Sequence, residues 1–127
     1  MEVKGIRWLG VRTDRVAEMS AFATDVLGLR LDGERSEDFV ELAMADGAKL
    51  ELFGSEAAAD GPWLFEGSPV VAGFLVEEIE PARDELARTP GVELLGELRV
   101  LADGYAWQHF RGSDGHVYEL IADPRAR

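Results

Sequence analysis

Two glutamates, Glu51 and Glu119, close two copies of one short pattern. The copies are Asp46-Gly47-Ala48-Lys49-Leu50-Glu51-Leu52 and Asp114-Gly115-His116-Val117-Tyr118-Glu119-Leu120. Asp-Gly is a tight-turn signal, because glycine tolerates positive φ and aspartate bonds back to its own backbone. Each turn leads into a short strand ending in Glu-Leu, so the two carboxylates should hold equivalent places in the fold. Facing carboxylates have three options: to hold a divalent metal, to move protons, or to accept hydrogen bonds from a guest. Two that face one another raise each other's pKa. The two histidines, His109 and His116, are too few for a histidine-rich metal centre.

The elements that must position these residues occur as a repeat. Residues 10–29 align without a gap with 73–92: Gly10 meets Gly73, Val11 meets Phe74, Val16 meets Ile79 and Gly28 meets Gly91. Residues 5–12 alternate as a strand, and Thr13 and Asp14 suit a cap for a helix through about Leu27, ended by Gly28. Strands follow over Leu29–Arg35, Phe39–Met44 and Lys49–Phe53. The second half reads as a strand (Val70–Val76), a helix near Pro81, strands near Val92–Leu95 and Leu98–Leu101, and a last hairpin of Tyr105–Arg111 with Val117–Ile121. It has gained a few residues around Glu97 to Asp103. The sequence thus predicts an α+β fold of one domain, 1–127. It holds a first βαβββ repeat (5–53), a linker (54–69) and a second repeat (70–122). One half alone leaves a sheet face open, so the two should curl into a mixed sheet around a shared cavity.

Each helix should cover one sheet face, where Leu9, Val11, Leu50, Leu52, Phe74 and Val76 belong. Period-two alternation then turns Trp8, Glu51, Val71 and Glu119 toward the cavity. Pairing Arg111 with His116 places Gln108 opposite Glu119 and Phe110 opposite Val117, and makes both cavity residues. The same register puts His109 with Tyr118 on the far face, as a structural residue, and leaves His116 in solvent. Arg12 shares the face of Trp8, within reach of neutralising a glutamate. Trp8 and Phe110 would stack on a flat guest. The linker carries Trp63, Leu64 and Phe65, which a solvated segment would not need. They should pin the crossover to the core, and Trp63 is also a candidate pocket wall or subunit contact.

Composition narrows the classes. The chain has 25 acidic against 13 basic residues, a formal charge of −12, which opposes phosphate backbones and so nucleic acid. The 46% hydrophobic content is that of a folded domain. The longest apolar and glycine run, Val70 to Val76, is too short to span a bilayer, so no membrane partner is expected. The lack of cysteine and of a signal-peptide pattern suits a cytoplasmic protein.

The doubled βαβββ plan, with Leu9-Gly10-Val11, Val26-Leu27-Gly28-Leu29 and the Asp114 to Leu120 run, resembles the vicinal oxygen chelate superfamily. This is the group of glyoxalase I, bleomycin-resistance proteins and extradiol dioxygenases. The resemblance implies a glyoxalase-like fold and a homodimer. Its catalytic members carry four metal-facing positions, which fall here on Trp8, Glu51, Val71 and Glu119. Only the two glutamates are ligand types. The cofactor expectation is therefore either no metal or a weakly held Mg²⁺ or Mn²⁺ on Glu51, Glu119 and water. The first functional expectation is a binding protein for a small hydrophobic or aromatic molecule, with Trp8, Arg12, Trp63, Val71, Gln108 and Phe110 as contacts. The alternatives are a divalent-metal lyase, isomerase or dioxygenase with Glu51 and Glu119 catalytic, metal-free acid–base catalysis by Glu119 beside Gln108, and a purely structural or regulatory homodimer.

Overall fold

Both Asp-Gly turns form as local chemistry dictates. Asp46 Oδ1 accepts the Ala48 N–H at 2.9 Å, and Asp114 Oδ1 accepts the His116 N–H at 3.0 Å. Gly47 and Gly115 sit at φ 91° and 85°, where a Cβ would be strained. The computed structural model describes residues 1–126, and of Glu34 the backbone alone; Arg127, the end of the expected domain, lies outside the described residues.

The first half runs β1 (Gly5–Arg12), α1 (Val16–Asp25), β2 (Arg30–Arg35), β3 (Phe39–Ala43) and β4 (Lys49–Phe53). The second runs β5 (Val70–Leu75), α2 (Ile79–Ala87), β6 (Glu93–Val100), β7 (Ala106–Arg111) and β8 (Val117–Ala122). They form one curled, unclosed eight-stranded sheet in the order β2-β3-β4-β1-β5-β8-β7-β6. The halves meet along the antiparallel β1–β5 pair, while β1–β4 and β5–β8 are parallel. The two βαβββ halves and the mixed sheet are those the sequence implies.

Alternation sorts side chains between the two faces. Leu9, Val11, Leu50 and Leu52 pack with Val16, Met19 and Ala23 of α1; Phe74, Val76 and Leu120 pack with Ile79, Ala82 and Leu86 of α2. The opposite, concave face carries Trp8, Phe53, Val71, Val117 and Ile121. The crossover between the halves lies over that face. Leu64, 3% exposed, enters the cluster, and Phe65 meets Phe53 edge-on at 5.1 Å. Burying a leucine of this kind stabilises by roughly 2 kcal/mol. Trp63 packs beside them, so the three linker residues do pin the crossover.

Three local expectations are corrected. The first helix begins at Val16, because Thr13 Oγ1 takes the Arg15 N–H in a turn before it. It ends at Asp25, where the Leu27 and Leu29 N–H groups turn back to the Phe22 and Ala23 carbonyls around Gly28 at φ 76°. The two strands expected near Val92–Leu95 and Leu98–Leu101 are one strand, β6, broken in register between Leu95 and Arg99 around Gly96 at φ 71°. The last hairpin is shifted by one residue: Arg111 pairs with Val117, not with His116. Asp114 draws the His116 N–H into the turn, and the His116 carbonyl accepts from Gly112, so ladder pairing starts one residue later.

Candidate functional site

That one-residue shift changes which side chains reach the concave face. His109 lies opposite Glu119, whereas Gln108 pairs with Leu120 and Phe110 with Tyr118. Gln108 is fully buried on the α2 side; its amide donates to the Leu95, Gly96 and His109 carbonyls and its oxygen accepts from Arg83. Phe110 belongs to the α2 core and stacks on Tyr118. Neither faces the cavity. His109, expected on the far face, stands in it, with Nε2 2.7 Å from Glu119 Oε2. His116 is exposed, as expected.

The concave face encloses a cavity of about 960 Å³, at the upper end of the small-molecule range. Its floor is Trp8 from β1, Glu51 and Phe53 from β4, and Glu119 from β8. Phe39 and Glu41 of β3, with the Arg35–Asp38 turn, make one side; Tyr105, Trp107 and His109 make the other. Glu56 to Asp60 and Leu64 of the crossover close the third. Trp107 Nε1 donates to Asp60 Oδ2 at 2.7 Å, which ties that wall to β7.

Trp8 lies flat along the sheet. A Cβ on Gly10 would stand 2.2 Å from its ring, so the glycine is what admits the indole. Gly10 pairs with Glu51, which brings the carboxyl beside that ring. Glu41 sits opposite Glu51 on β3. Burial raises the Glu51 carboxyl to about 7; the Trp8 indole opposes the rise, and Glu41 and Glu119 add to it. Glu119, 5% exposed, is also raised by burial, with the His109 hydrogen bond opposing. Burial, then the nearby Glu119 and Glu51, push the Tyr105 hydroxyl up. Asp38 Oδ2 is buried without a hydrogen-bond partner among the described residues.

Three further sequence candidates stand apart from the cavity lining. Val71, 1% exposed, is core between Trp8 and Ile121. Arg12 donates to the carbonyls of Gly54 and Ala57 and lies 4.7 Å from the Phe65 ring, so it fastens the crossover and not a glutamate. Trp63 packs from the crossover against the concave-face cluster and donates to His109 Nδ1 at 3.2 Å. The sequence reading missed Phe53, Trp107, Tyr105, Glu41 and the Arg35–Asp38 turn. Phe53 lies two residues beyond Glu51, so alternation alone carried its signal.

The four-donor set of a tight divalent site does not fit these residues. Trp8 and Val71 offer no donor, Glu119 Oε2 is engaged by His109, and among the described residues no three histidines or carboxylates group as a metal cradle. What the site does offer is aromatic faces, hydrogen-bond acceptors and a carboxyl that titrates near neutrality.

The comparisons agree with this architecture. A crystal structure of a glyoxalase/bleomycin resistance protein/dioxygenase superfamily member from Vibrio splendidus 12B01 superposes with TM-score 0.65 at 23% identity, covering 93% of this chain and 99% of that one. Methylmalonyl-CoA epimerase from Mycobacterium tuberculosis gives 0.68 at 20% identity over 94% and 88%. A Mn(II)-bound glyoxalase from Novosphingobium aromaticivorans gives 0.72 at 23% identity, over 95% of this chain and 39% of that longer one. At these identities the likeness is one of fold. No curated protein matches the sequence. Residues 5–120 match the profile of the Glyoxalase/Bleomycin resistance protein/Dioxygenase superfamily, and with the doubled βαβββ sheet just described the chain belongs to that family.

Proposed function

We propose that the protein binds a small, flat aromatic molecule bearing a cationic or hydrogen-bond-donating group in the concave cavity. One observation carries the reading: the wall interleaves Trp8, Phe39, Phe53, Tyr105 and Trp107 with Asp38, Glu41, Glu51, Glu56, Asp60 and Glu119, against the single guanidinium of Arg35. Rings supply stacking area, and cations are drawn to both ring faces and carboxylates. The partnerless Asp38 oxygen supports a donor in the guest, since a buried acceptor is rarely left unpaired.

The test is calorimetric titration with a panel of aromatic amines and their carboxylate counterparts. Amines should bind at least about tenfold tighter, a difference of about 1.4 kcal/mol. No binding by any aromatic compound at millimolar concentration, or a preference for the acids, would refute the proposal.

A second reading is a divalent-metal lyase, isomerase or dioxygenase using Glu51 and Glu119. In its favour, both carboxylates line one cavity, and solved structures of the same fold include an epimerase and a Mn(II)-bound glyoxalase. It predicts near-stoichiometric metal in the purified protein by plasma mass spectrometry and a lower melting temperature after chelation. The first reading predicts neither. A homodimer is part of both proposals, and sedimentation velocity tests it. Among the described residues no helix is long and apolar enough to cross a membrane.

A further inference from the structure

Trp63 and His109 do more than fill space. The Trp63 indole is slotted between Gly61 and the Gly96 bulge of β6, where added Cβ atoms would lie 2.2 and 2.7 Å from the ring. Its Nε1–H points at His109 Nδ1, 3.2 Å away, and His109 Nε2 points at Glu119 Oε2, 2.7 Å away. An indole nitrogen only donates, so His109 Nδ1 must accept with its lone pair. The ring hydrogen is then on Nε2 and is donated to Glu119. The direction of the whole chain, Trp63 to His109 to Glu119, follows from its first member. His109 and Glu119 are 4% and 5% exposed, so little water competes for these bonds.

We propose that His109 is a positioning residue, aligned by Trp63, that presents Glu119 to the cavity as a fixed hydrogen-bond acceptor. The site therefore selects guests that bring an N–H or O–H to Glu119 over isosteres that bring only an acceptor. This rests on the cavity being the ligand site. A carboxylate already fed by one donor keeps its other oxygen as an acceptor. A guest that sets a lone pair against it leaves a buried polar group unpaired, and sites built this way reject the wrong isostere strongly.

Indole and benzofuran make a suitable probe pair, because they match in shape and differ in N–H against O. Indole should bind the wild-type protein about tenfold or more tighter by calorimetry. His109→Phe should collapse that ratio toward one, while His109→Gln, whose amide still donates, should restore part of it; thermal melts of both variants check that they fold. Long-range ¹⁵N–¹H spectra of the ligand-free protein at pH 7 should show His109 protonated on Nε2 and bare on Nδ1. Trp63→Phe should move the Nδ1 resonance downfield with Nε2–H retained. A hydrogen on Nδ1, or an Nδ1 signal indifferent to Trp63→Phe, overturns the alignment. Equal affinity for the two probes in the wild type, or a ratio unchanged in His109→Phe, overturns the selection. Binding of neither probe refutes selection at this site and counts against the cavity reading, while the spectra judge the alignment independently.

Discussion

Glu51 holds its proton up to about pH 7 in the fold, against an ordinary value of 4.5. The native state thus binds this proton more tightly than the unfolded chain. Its contribution to stability is fully present below about pH 4.5 and is lost as pH rises through about 7. At about 1.4 kcal/mol per unit, the loss comes to about 3 kcal/mol. Urea melts of Glu51→Gln should match the wild type at the acid end of that window and exceed it in stability at pH 8. Parallel behaviour across the window would mean that burial does not hold the carboxyl protonated. Ionisation has the opposite effect on a cationic guest, whose affinity should rise as pH passes through 7. Calorimetry at pH 6 and 8 checks this, and Glu51→Gln should flatten the rise.

At the scale of elements, β1 is legible to the residue and the last hairpin is not. Leu9 and Val11 against Trp8 follow from period two, and the repeat of Gly10 at Gly73 placed the second half. Register between β7 and β8 depends instead on Asp114 capturing one N–H in the turn, which leaves no trace in the hydrophobic pattern. Misplacing it by one residue exchanged His109 for Gln108 and Phe110. Trp63 was legible as a residue needing burial, but its partner was not, because the chain meets His109 only after the crossover folds over the sheet. The Gly10 contact is testable at this scale. Gly10→Ala sets a methyl against the Trp8 ring, and overpacking of this kind costs about 1–3 kcal/mol, read as a lower melting temperature. Asp60→Asn weakens the tie from Trp107 to the crossover wall and should accelerate amide hydrogen exchange in residues 56–60, leaving α1 and α2 unchanged.

Across the whole molecule, acidity is the dominant electrostatic feature. A charge of −12 repels itself, and counterions relieve that repulsion. Raising salt from about 20 mM to about 500 mM shortens the screening length several-fold. The ligand-free melting temperature should therefore rise with salt, while affinity for a cationic aromatic guest should fall. A guest affinity independent of salt would place its recognition on the rings alone. The three tryptophans of the chain are Trp8, Trp63 and Trp107. Two line the cavity and the third stands directly behind His109, so none lies in α1, α2 or the outer strands. The native protein consequently carries its own optical probe, confined to one place. A change in its intrinsic emission reports events at the cavity and at the β6 edge against which Trp63 packs, while fraying of α1, α2 or the β2 edge should stay dark until the concave face itself opens.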